Sequence, residues 1–286
     1  MANIRDIRRR IKSVRNTGQI TKAMKMVSAA KLRRAEEAMM RSRPYAGKLE
    51  DVVCALARRA ADGTHPMLSE REEKRVRVIV VTADRGLCGA FNSNLLRASL
   101  AFIKDKADSG AEVTVDIVGR RGRDFFKRRE FEIGKIWIGV SSKPEYEKAG
   151  EIADHASRLF LEGGYDAVYL VYNEFKTLIT QKITVKRLVP FCREEVQTAF
   201  EEEFIFEPSE EEILRTLLPR QLSFSIFQAL LESYASEQGA RMAAMENATR
   251  SAKEMIDKLT LHANRVRQAA ITKEIIEVVS GAEAQS

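Results

Sequence analysis

Residues 220–286 read RQLSFSIFQALLESYASEQGARMAAMENATRSAKEMIDKLTLHANRVRQAAITKEIIEVVSGAEAQS and contain no proline. An apolar stripe runs along them in alternating steps of four and three residues, as a coiled-coil seam requires. The positions along this stripe, most of them apolar, are Phe227, Leu231, Tyr234, Gln238, Arg241, Met245, Ala248, Ala252, Met255, Leu259, His262, Val266, Ala269, Lys273 and Ile276. Sixty helical residues would extend roughly 90 Å. The pattern therefore predicts one long helix that needs a partner along its seam.

The first forty-odd residues provide that partner. Their apolar stripe runs through Ile4, Ile7, Ile11 and Val14, loses its register near Gly18, and resumes as Ile20, Met24 and Val27. A register shift of this kind changes a supercoil locally without ending the helix. Two such helices at opposite ends of one chain are expected to pack as an antiparallel pair.

The middle of the chain has the pattern of an α/β domain. The expected strands are Arg75–Thr82, Val113–Val118, Ile133–Val140, Ala167–Phe175 and Gln181–Val189, the last two forming a hairpin. Helices are expected around Phe91–Lys106 and Glu145–Glu162, and Pro208 and Pro219 mark the exit from the domain. Alternation of strands and helices favours a mostly parallel, doubly wound sheet with an antiparallel edge.

These patterns together predict an α/β fold combined with a long antiparallel coiled coil. Residues 1–60 and 209–286 are expected to form the two helices of the coiled coil. Residues 70–207 are expected to form a Rossmann-like domain inserted between them.

Positive charge is concentrated near the N-terminus. Residues 1–43 carry thirteen lysines and arginines against three acidic residues, a net charge of +10, whereas the whole chain has +7. The remainder is slightly acidic, with a local acidic run at residues 194–212. A basic helix of this kind attracts a polyanion or an acidic protein surface, although a solvated helix face is the simpler interpretation.

Several classes of protein are disfavoured. No apolar run approaches the roughly 20 residues of a membrane span, and there is no apolar signal-peptide core. The Arg-rich N-terminus could imitate a mitochondrial transit peptide. Because its apolar spacing continues into the helix pattern, it is interpreted as part of the mature structure. Cys54, Cys88 and Cys192 are too few and scattered for a disulfide framework or a metal site.

The segment Asp84–Asn92, DRGLCGAFN, is the obvious place to look for chemistry. Glycines between a strand and a helix can hold phosphate, but neither GxGxxG nor GxxxxGK[ST] is present. Cys88 could be a nucleophile, yet no histidine motif accompanies it, so a small half-buried turn cysteine is the preferred interpretation. Gly119–Gly122, GRRG, is interpreted as a tight turn rather than an anion site. No metal, cofactor or catalytic residue is predicted.

Some features of the long helices leave alternatives open. Most of their methionines are interpreted as seam or contact packing, because methionine is deformable and polarizable. The polar seam positions Gln238, Arg241, His262 and Lys273 could fix the register of the pair or mark contacts with other chains.

Four segments resemble the gamma subunit of F-type ATP synthases, in order and over essentially the whole chain. They are IKSVRNTGQITKAMKMVSAAKLRR at 11–34, DRGLCGAFN at 84–92, SEQGARMAAMENAT at 236–249 and RQAAITKEIIEVVSGAEA at 267–284. The resemblance implies the same fold and a mechanical function without catalysis. The protein would be the central rotor shaft, coupling rotation of a membrane c ring, driven by proton flow, to ATP synthesis or hydrolysis.

The implied partners are three alpha and three beta subunits, an epsilon subunit and the c ring. By the matching motifs, the beta subunits would be contacted by Arg8, Arg9, Met24, Arg241, Thr272, Glu274 and Glu277. The foot on the c ring would use Phe204, Phe206 and Glu207, where the family often has tyrosines, and the face near Cys88 would hold epsilon. The redox insertion of chloroplast relatives is missing from the middle domain. The expected location is the cytoplasmic face of a bacterial inner membrane, as a peripheral protein.

Two other functions remain as alternatives on composition. A basic coiled-coil arm could bind nucleic acid, but residues 1–43 contain no aromatic residue to interleave with the lysines and arginines. A dinucleotide-dependent enzyme is disfavoured by the missing fingerprint.

Overall fold

A computed structural model describes residues 4–59, 65–177, 180–191 and 209–283. The chain divides into two compact units, Met1–Ser28 with Arg241–Ser286, and Ala29–Ala240. Its elements in chain order are α1 (Ile4–Arg59), a 3₁₀ turn (Pro66–Leu68), β1 (Arg75–Val81), α2 (Phe91–Asp108), β2 (Glu112–Val118), α3 (Arg120–Phe126), β3 (Glu132–Trp137), α4 (Tyr146–Leu161), β4 (Ala167–Phe175), β5 (Gln181–Val189) and α5 (Glu210–Glu283).

The sheet of the larger unit has the strand order β3-β2-β1-β4-β5. Its first four strands are parallel, and β5 pairs antiparallel with β4 as a hairpin. The doubly wound sheet with an antiparallel edge is therefore confirmed. The central strands could be predicted from their β-branched runs, since a strand buried on both faces is apolar throughout.

Side chains of β1 alternate between two cores. Val76, Val78 and Val80 pack with α2 and α3 on one face. Ile79 and Val81 pack on the other face with α4 and with the parts of α1 and α5 that belong to this unit. Alternation follows from the two-residue period of a strand. The sheet is thus covered on both sides, which fits its nearly continuous apolar strands.

A buried ion pair interrupts the apolar sheet. The Arg77 guanidinium on β1 donates to both carboxylate oxygens of Asp116 on β2, at 2.6 and 2.7 Å. Asp116 is fully buried and also accepts a hydrogen bond from the backbone of Lys135. His155 on α4 lies 3.5 Å from Asp116. Burial lowers the pKa of His155, although the Asp116 carboxylate opposes this shift. No local sequence pattern indicates this cluster, because its three members lie far apart in the chain.

Both long helices pass through a proline within the larger unit. Pro44 lies inside α1 and Pro219 inside α5. Since α5 begins at Glu210, Pro219 lies inside this helix, and Pro208 lies outside the described residues. An interior proline costs about 3 kcal/mol, but Leu214, Leu218 and Leu222 are completely buried around it. This packing outweighs the local penalty.

The same two helices run antiparallel in the larger unit. The rings of Tyr45 on α1 and Phe224 on α5 lie 4.9 Å apart. Further along, Leu32, Ala35 and Met39 of α1 join one buried cluster with Leu231 and Ala235 of α5. As the residue numbers on α1 rise, those of their neighbours on α5 fall, which defines an antiparallel pair.

In the smaller unit the helices also pair antiparallel, through small and polar residues. The Thr21 and Thr249 hydroxyl oxygens lie 2.7 Å apart, and Lys25 bonds Glu246 at 2.7 Å. At Gly18, a β-carbon would come within 3.4 Å of the Ala252 β-carbon. Small residues at a helix crossing allow the two backbones to approach closely. The predicted antiparallel pair is confirmed here.

The predicted composition of the seam needs two corrections. Ile20 and Val27 are 60% and 55% exposed, whereas Thr21 and Ser28 are buried. The unbroken heptad Ile7, Ile11, Val14, Gly18, Thr21, Lys25, Ser28, Leu32, Ala35 and Met39 describes the inward face of α1 without any register shift. On α5, Met255 is exposed and its neighbour Ile256 is half-buried instead. His262 is likewise exposed beside half-buried Ala263. In α1 apolarity alone was misleading, because small polar residues occupy inward positions.

Candidate partner-binding surfaces

The Asp84–Asn92 turn lies at the carboxyl edge of the sheet, where doubly wound folds bind their ligands. The Asp84 carboxylate accepts hydrogen bonds from Arg120 N at 3.0 Å, Gly139 N at 3.1 Å and the Ser141 hydroxyl at 2.8 Å. These donors come from the loops after β2 and β3. The acidic side chain therefore occupies backbone donors that an anionic ligand would need in a nucleotide-binding protein.

Cys88 in this turn is a packing residue. It is 2% exposed and lies in a small cluster with Ala83 and Phe91. The Asn92 side-chain amide donates to the Cys88 sulfur at 3.2 Å, while the Asn92 carbonyl oxygen accepts from Ala83 N. The expected half-buried cysteine is thus more deeply buried than predicted. The exposed side chain at the tip of the turn is Leu87, 65% exposed with a φ of 64°.

The GRRG segment is a tight turn, as predicted. Gly119 has a φ of 97°, and a β-carbon there would overlap the Thr82 carbonyl. Gly122 N donates to the Thr82 hydroxyl at 2.8 Å. Both glycines are required by these close approaches. The arginines of the same segment, Arg120 and Arg121, are exposed, and the turn does not depend on their side chains.

The outer surface of the smaller unit combines charge with exposed apolar side chains. Arg8 and Arg9 are exposed on α1. Ile20 and Met26 are each 60% exposed, whereas Met24 between them is half-buried. Arg241 is buried on α5, with 8% exposure. Exposed apolar side chains on one helix are typical of a surface that another protein covers.

The last part of α5 is exposed on all sides. Every residue from 267 to 280 is exposed, including Thr272, Glu274 and Glu277. Large apolar residues of this stretch are 47–73% exposed: Ile271, Ile275, Ile276, Val278 and Val279. Lys273 forms an ion pair with Glu277 at 3.4 Å along the helix. A helix that is apolar on several sides needs surroundings other than water, so this end of α5 is a second candidate contact surface.

Other predicted features are limited by the described ranges. Phe204, Phe206 and Glu207 lie outside the described residues. In the ranges that the structure covers, no helix is both apolar and long enough to cross a bilayer. Nor does this part of the chain contain a group of three or more His, Cys, Asp or Glu side chains that could hold a metal ion.

The fold and its surfaces define a stalk-type protein, in which paired terminal helices carry an α/β domain and act through contacts. Structure comparison finds the same fold in solved chains of ATP synthases. The chain matches the central stalk of Tetrahymena thermophila mitochondrial ATP synthase with a TM-score of 0.63 and 27% identity, over 80% of this chain and 99% of that one. A chain of the Euglena gracilis mitochondrial ATP synthase matches with a TM-score of 0.71 over 99% and 94%, and at 19% identity this shows the fold alone.

Sequence comparison identifies the family. The model of a family described as ATP synthase matches residues 3–285. The ATP synthase gamma chains of Anaeromyxobacter sp. strain Fw109-5 and Desulfitobacterium hafniense are each 50% identical, over 99% of this chain and 99% of theirs. The chain belongs to the ATP synthase gamma chain family. The resemblance noted from its motifs is confirmed.

Proposed function

We propose that this chain is the central rotor shaft of an F-type ATP synthase. It couples rotation of the membrane c ring, driven by proton flow, to ATP synthesis or hydrolysis in a ring of three alpha and three beta subunits. Support comes from relatives named as ATP synthase gamma chains, which match along their whole length, and from a central stalk solved with its c-ring. The observation that carries the proposal is the exposed apolar end of α5.

The mechanism is differential contact energy. Three chemically identical beta subunits can differ in conformation only if something asymmetric touches each of them differently. A ligand shifts an equilibrium by its difference in affinity for the two states, and here the ligand is one face of the shaft. Rotation by a third of a turn presents the next face to each beta subunit and so changes which nucleotide site is open.

The exposed end of α5 is assigned to the centre of the alpha–beta ring. Burying one large aliphatic side chain contributes about 1.5–3 kcal/mol, so five such residues could hold the helix end inside an apolar collar. Thr272, Glu274 and Glu277 on the same segment would make polar contacts with beta. Because apolar contacts have no direction, such a bearing can turn without breaking strong bonds.

Basic and apolar groups on the paired helices are assigned to the beta subunits as well. Arg8 and Arg9 are exposed and would meet acidic rims of the ring. Met24 would contact an acidic loop of a beta subunit directly. Arg241 is buried in the isolated chain and would act on that loop at short range, through the surface around Met24.

Two further contacts are kept as proposals from the family resemblance. Phe204, Phe206 and Glu207 would form the foot on the c ring. The epsilon subunit would bind the face around Cys88. As the Cys88 thiol is buried, the exposed Leu87 side chain would supply the apolar contact there.

We also propose that the chain has no catalytic activity of its own, and that it works as a peripheral protein at the cytoplasmic face of a bacterial inner membrane. Residues 1–60 and 209–286 would be the two shaft helices, with the α/β domain of residues 70–207 between them. The bounds of α1 and α5 support this division.

The direct experiment is reconstitution. The purified full chain is mixed with alpha and beta subunits of Desulfitobacterium hafniense, the ring is immobilised, and a bead is attached to the α/β domain. We expect ATP-dependent rotation of the bead in three steps per turn. The control is the ring without this chain, on which no bead rotates.

The nucleic-acid alternative is tested with the same material. If the chain fails to assemble with alpha and beta subunits but binds single-stranded RNA with a steep salt dependence, the rotor proposal is rejected. Assembly without rotation would reject the shaft function while leaving the family membership intact.

A further inference from the structure

A basic groove lies between α2 and α3, beside the Cys88 turn and distinct from the helix surfaces assigned to the beta subunits. Its volume is about 580 Å³. Leu96, Leu100 and Phe125 provide apolar walls, and of these Leu96 is buried while Leu100 and Phe125 are half-buried. A groove with an apolar floor between two helices is a common way for a protein to receive a peptide segment.

Arginines surround this floor. Arg97 stands on α2, Arg121 on α3, and Arg128 and Arg129 directly after α3, and all four are exposed. Residues 120–129, RRGRDFFKRR, contain six basic residues and one acidic residue. This charge density exceeds what the turn requires, since the tight turn depends on Gly119 and Gly122 and not on the arginines.

Contacts in the groove show how these cations are held. The Arg129 guanidinium lies 3.5 Å from the centre of the Phe125 ring and donates to the Phe125 carbonyl oxygen at 3.0 Å. Asp124 is bonded to Arg123 at 2.7 Å. Hydrogen bonds from Arg123, with Arg121 and Arg120 nearby, lower the pKa of Asp124. The one carboxylate of the segment is therefore already paired, and the field at the groove remains positive.

We propose that this groove is a docking site for an acidic, amphipathic segment of another protein. Aliphatic side chains of the segment would cover Leu96, Leu100 and Phe125, and its carboxylates would face the arginines. Arginine and aromatic residues are enriched at the centres of protein interfaces. A small polyanion is disfavoured, because small-molecule sites enclose most of their ligand whereas these arginines stand in solvent around an open floor.

This inference is independent of the rotor function, so it is tested on the full chain alone. The probe is a fluorescein-labelled sixteen-residue peptide with leucines at helical three–four spacing and glutamates elsewhere. Fluorescence anisotropy should show saturable binding at about 0.15 M salt. A peptide of the same composition with the leucines scattered should bind at least about tenfold more weakly. This is the loss of affinity expected when one hot spot of an interface is removed.

Two variants test the site, and a third is the control. Arg97→Glu with Arg128→Glu, and separately Leu100→Asn, should each weaken peptide binding by about tenfold or more. The matched control is Lys12→Glu with Arg15→Glu, which makes the same charge change at exposed positions of the basic helix α1 and should leave binding within about twofold. Circular dichroism spectra of all variants should match that of the unmodified chain, and Arg97→Gln with Arg128→Gln replaces the charge reversal if they do not.

Each other outcome overturns the proposal. No saturable binding, or equal binding of the scattered peptide, would mean that there is no docking site for an amphipathic segment. An equal loss in the α1 control, or no loss with Leu100→Asn, would reduce the binding to general charge attraction. Stoichiometric displacement of the peptide by millimolar tripolyphosphate at constant ionic strength would identify a small-anion site instead.

Discussion

The hydroxyl oxygens of Thr21 and Thr249 lie 2.7 Å apart, across the interface of α1 and α5 in the smaller unit. Thr21 is only 9% exposed. Each hydroxyl also lies within hydrogen-bond distance of a carbonyl one turn back in its own helix, Gly18 O at 3.1 Å and Met245 O at 2.8 Å. A polar contact of this kind favours one register of the helix pair, because sliding either helix by a turn would separate the two hydroxyls and lose the bond between the helices.

The close approach at Gly18 makes the first prediction. Gly18→Leu should destabilise the smaller unit by about 1–3 kcal/mol, because a β-carbon there would already contact the Ala252 β-carbon and the rest of the leucine side chain would force the helices apart. Gly47→Leu is the matched control, since a β-carbon at Gly47 meets nothing within 4 Å. That change should stabilise α1 by up to about 1 kcal/mol. Thermal unfolding followed by circular dichroism at 222 nm measures both, and equal effects of the two changes would refute the close approach.

The second prediction concerns the buried ion pair of Arg77 and Asp116. Asp116→Asn should lower the free energy of unfolding of the α/β sheet by about 3–5 kcal/mol, because it leaves the Arg77 guanidinium buried without a counter-charge. Glu246→Gln, which breaks the exposed pair with Lys25, should have a much smaller effect, because exposed ion pairs contribute little. Trp137 is the one tryptophan of the chain and lies in β3, so its fluorescence in urea reports on the sheet. A small effect of Asp116→Asn would show that the pair is hydrated.

The third prediction concerns Gly134, where there is no room for a side chain. A β-carbon there would overlap both the Arg77 guanidinium and the Asp116 carboxylate. Gly134→Ala should therefore destabilise the sheet by at least about 2 kcal/mol by displacing the pair. Gly150→Ala on α4 meets nothing within 4 Å and should instead stabilise by up to about 1 kcal/mol. Tryptophan fluorescence in urea distinguishes the two, and a neutral Gly134→Ala would contradict the packing described.

Features of the fold could be predicted from the sequence where they depend on a pattern of neighbouring residues, and not where they depend on residues far apart in the chain. The strands and the long helices could be predicted, because their period or their β-branched runs repeat over many residues. The inward positions Thr21 and Ser28 were missed, since a small polar residue resembles a surface residue in sequence. Long-range pairs such as Arg77 with Asp116 leave no local pattern at all. Partner surfaces could be assigned only through the family resemblance, because exposed isoleucines on a helix look the same as core isoleucines until a fold shows which are uncovered.

Glu232 on α5 makes a prediction about pH. It is 7% exposed, and burial, reinforced by the nearby Glu174 carboxylate, raises its pKa, while a hydrogen bond from Gln228 opposes this. With a raised pKa the folded protein binds more protons than the unfolded chain, so this residue makes stability fall as pH rises above the unfolded value near 4.5. Glu232→Gln should remove that dependence. The variant should be more stable than the parent chain at pH 8, and the difference should shrink towards pH 4.5.

Urea titrations at several pH values between 4.5 and 8 measure the effect. Glu246→Gln is a useful control, because hydrogen bonding to Lys25 lowers the pKa of Glu246. The Glu246 carboxylate should therefore contribute a pH dependence of the opposite sign, with stability lost as pH falls, and Glu246→Gln should remove that contribution. If Glu232→Gln left the slope of stability against pH unchanged, the carboxylate would have to be ionised and solvated in the folded protein.

The exposed end of α5 makes the last prediction, which separates a contact role from a structural one. Ile271→Ser, Ile275→Ser and Val278→Ser combined should leave the melting temperature of the isolated chain within about 2 °C, because these side chains are exposed. In the assembled complex the same variant should bind the alpha–beta ring more weakly by about tenfold or more, since each buried aliphatic side chain contributes more than 1 kcal/mol. Lys253→Ser, Asp257→Ser and Thr260→Ser combined change three exposed polar residues of the same helix without changing net charge. That control should assemble and rotate normally. Weakened assembly in both variants would mean that any change along the helix is harmful, whereas an unaffected apolar variant would show that the end of α5 is not the bearing.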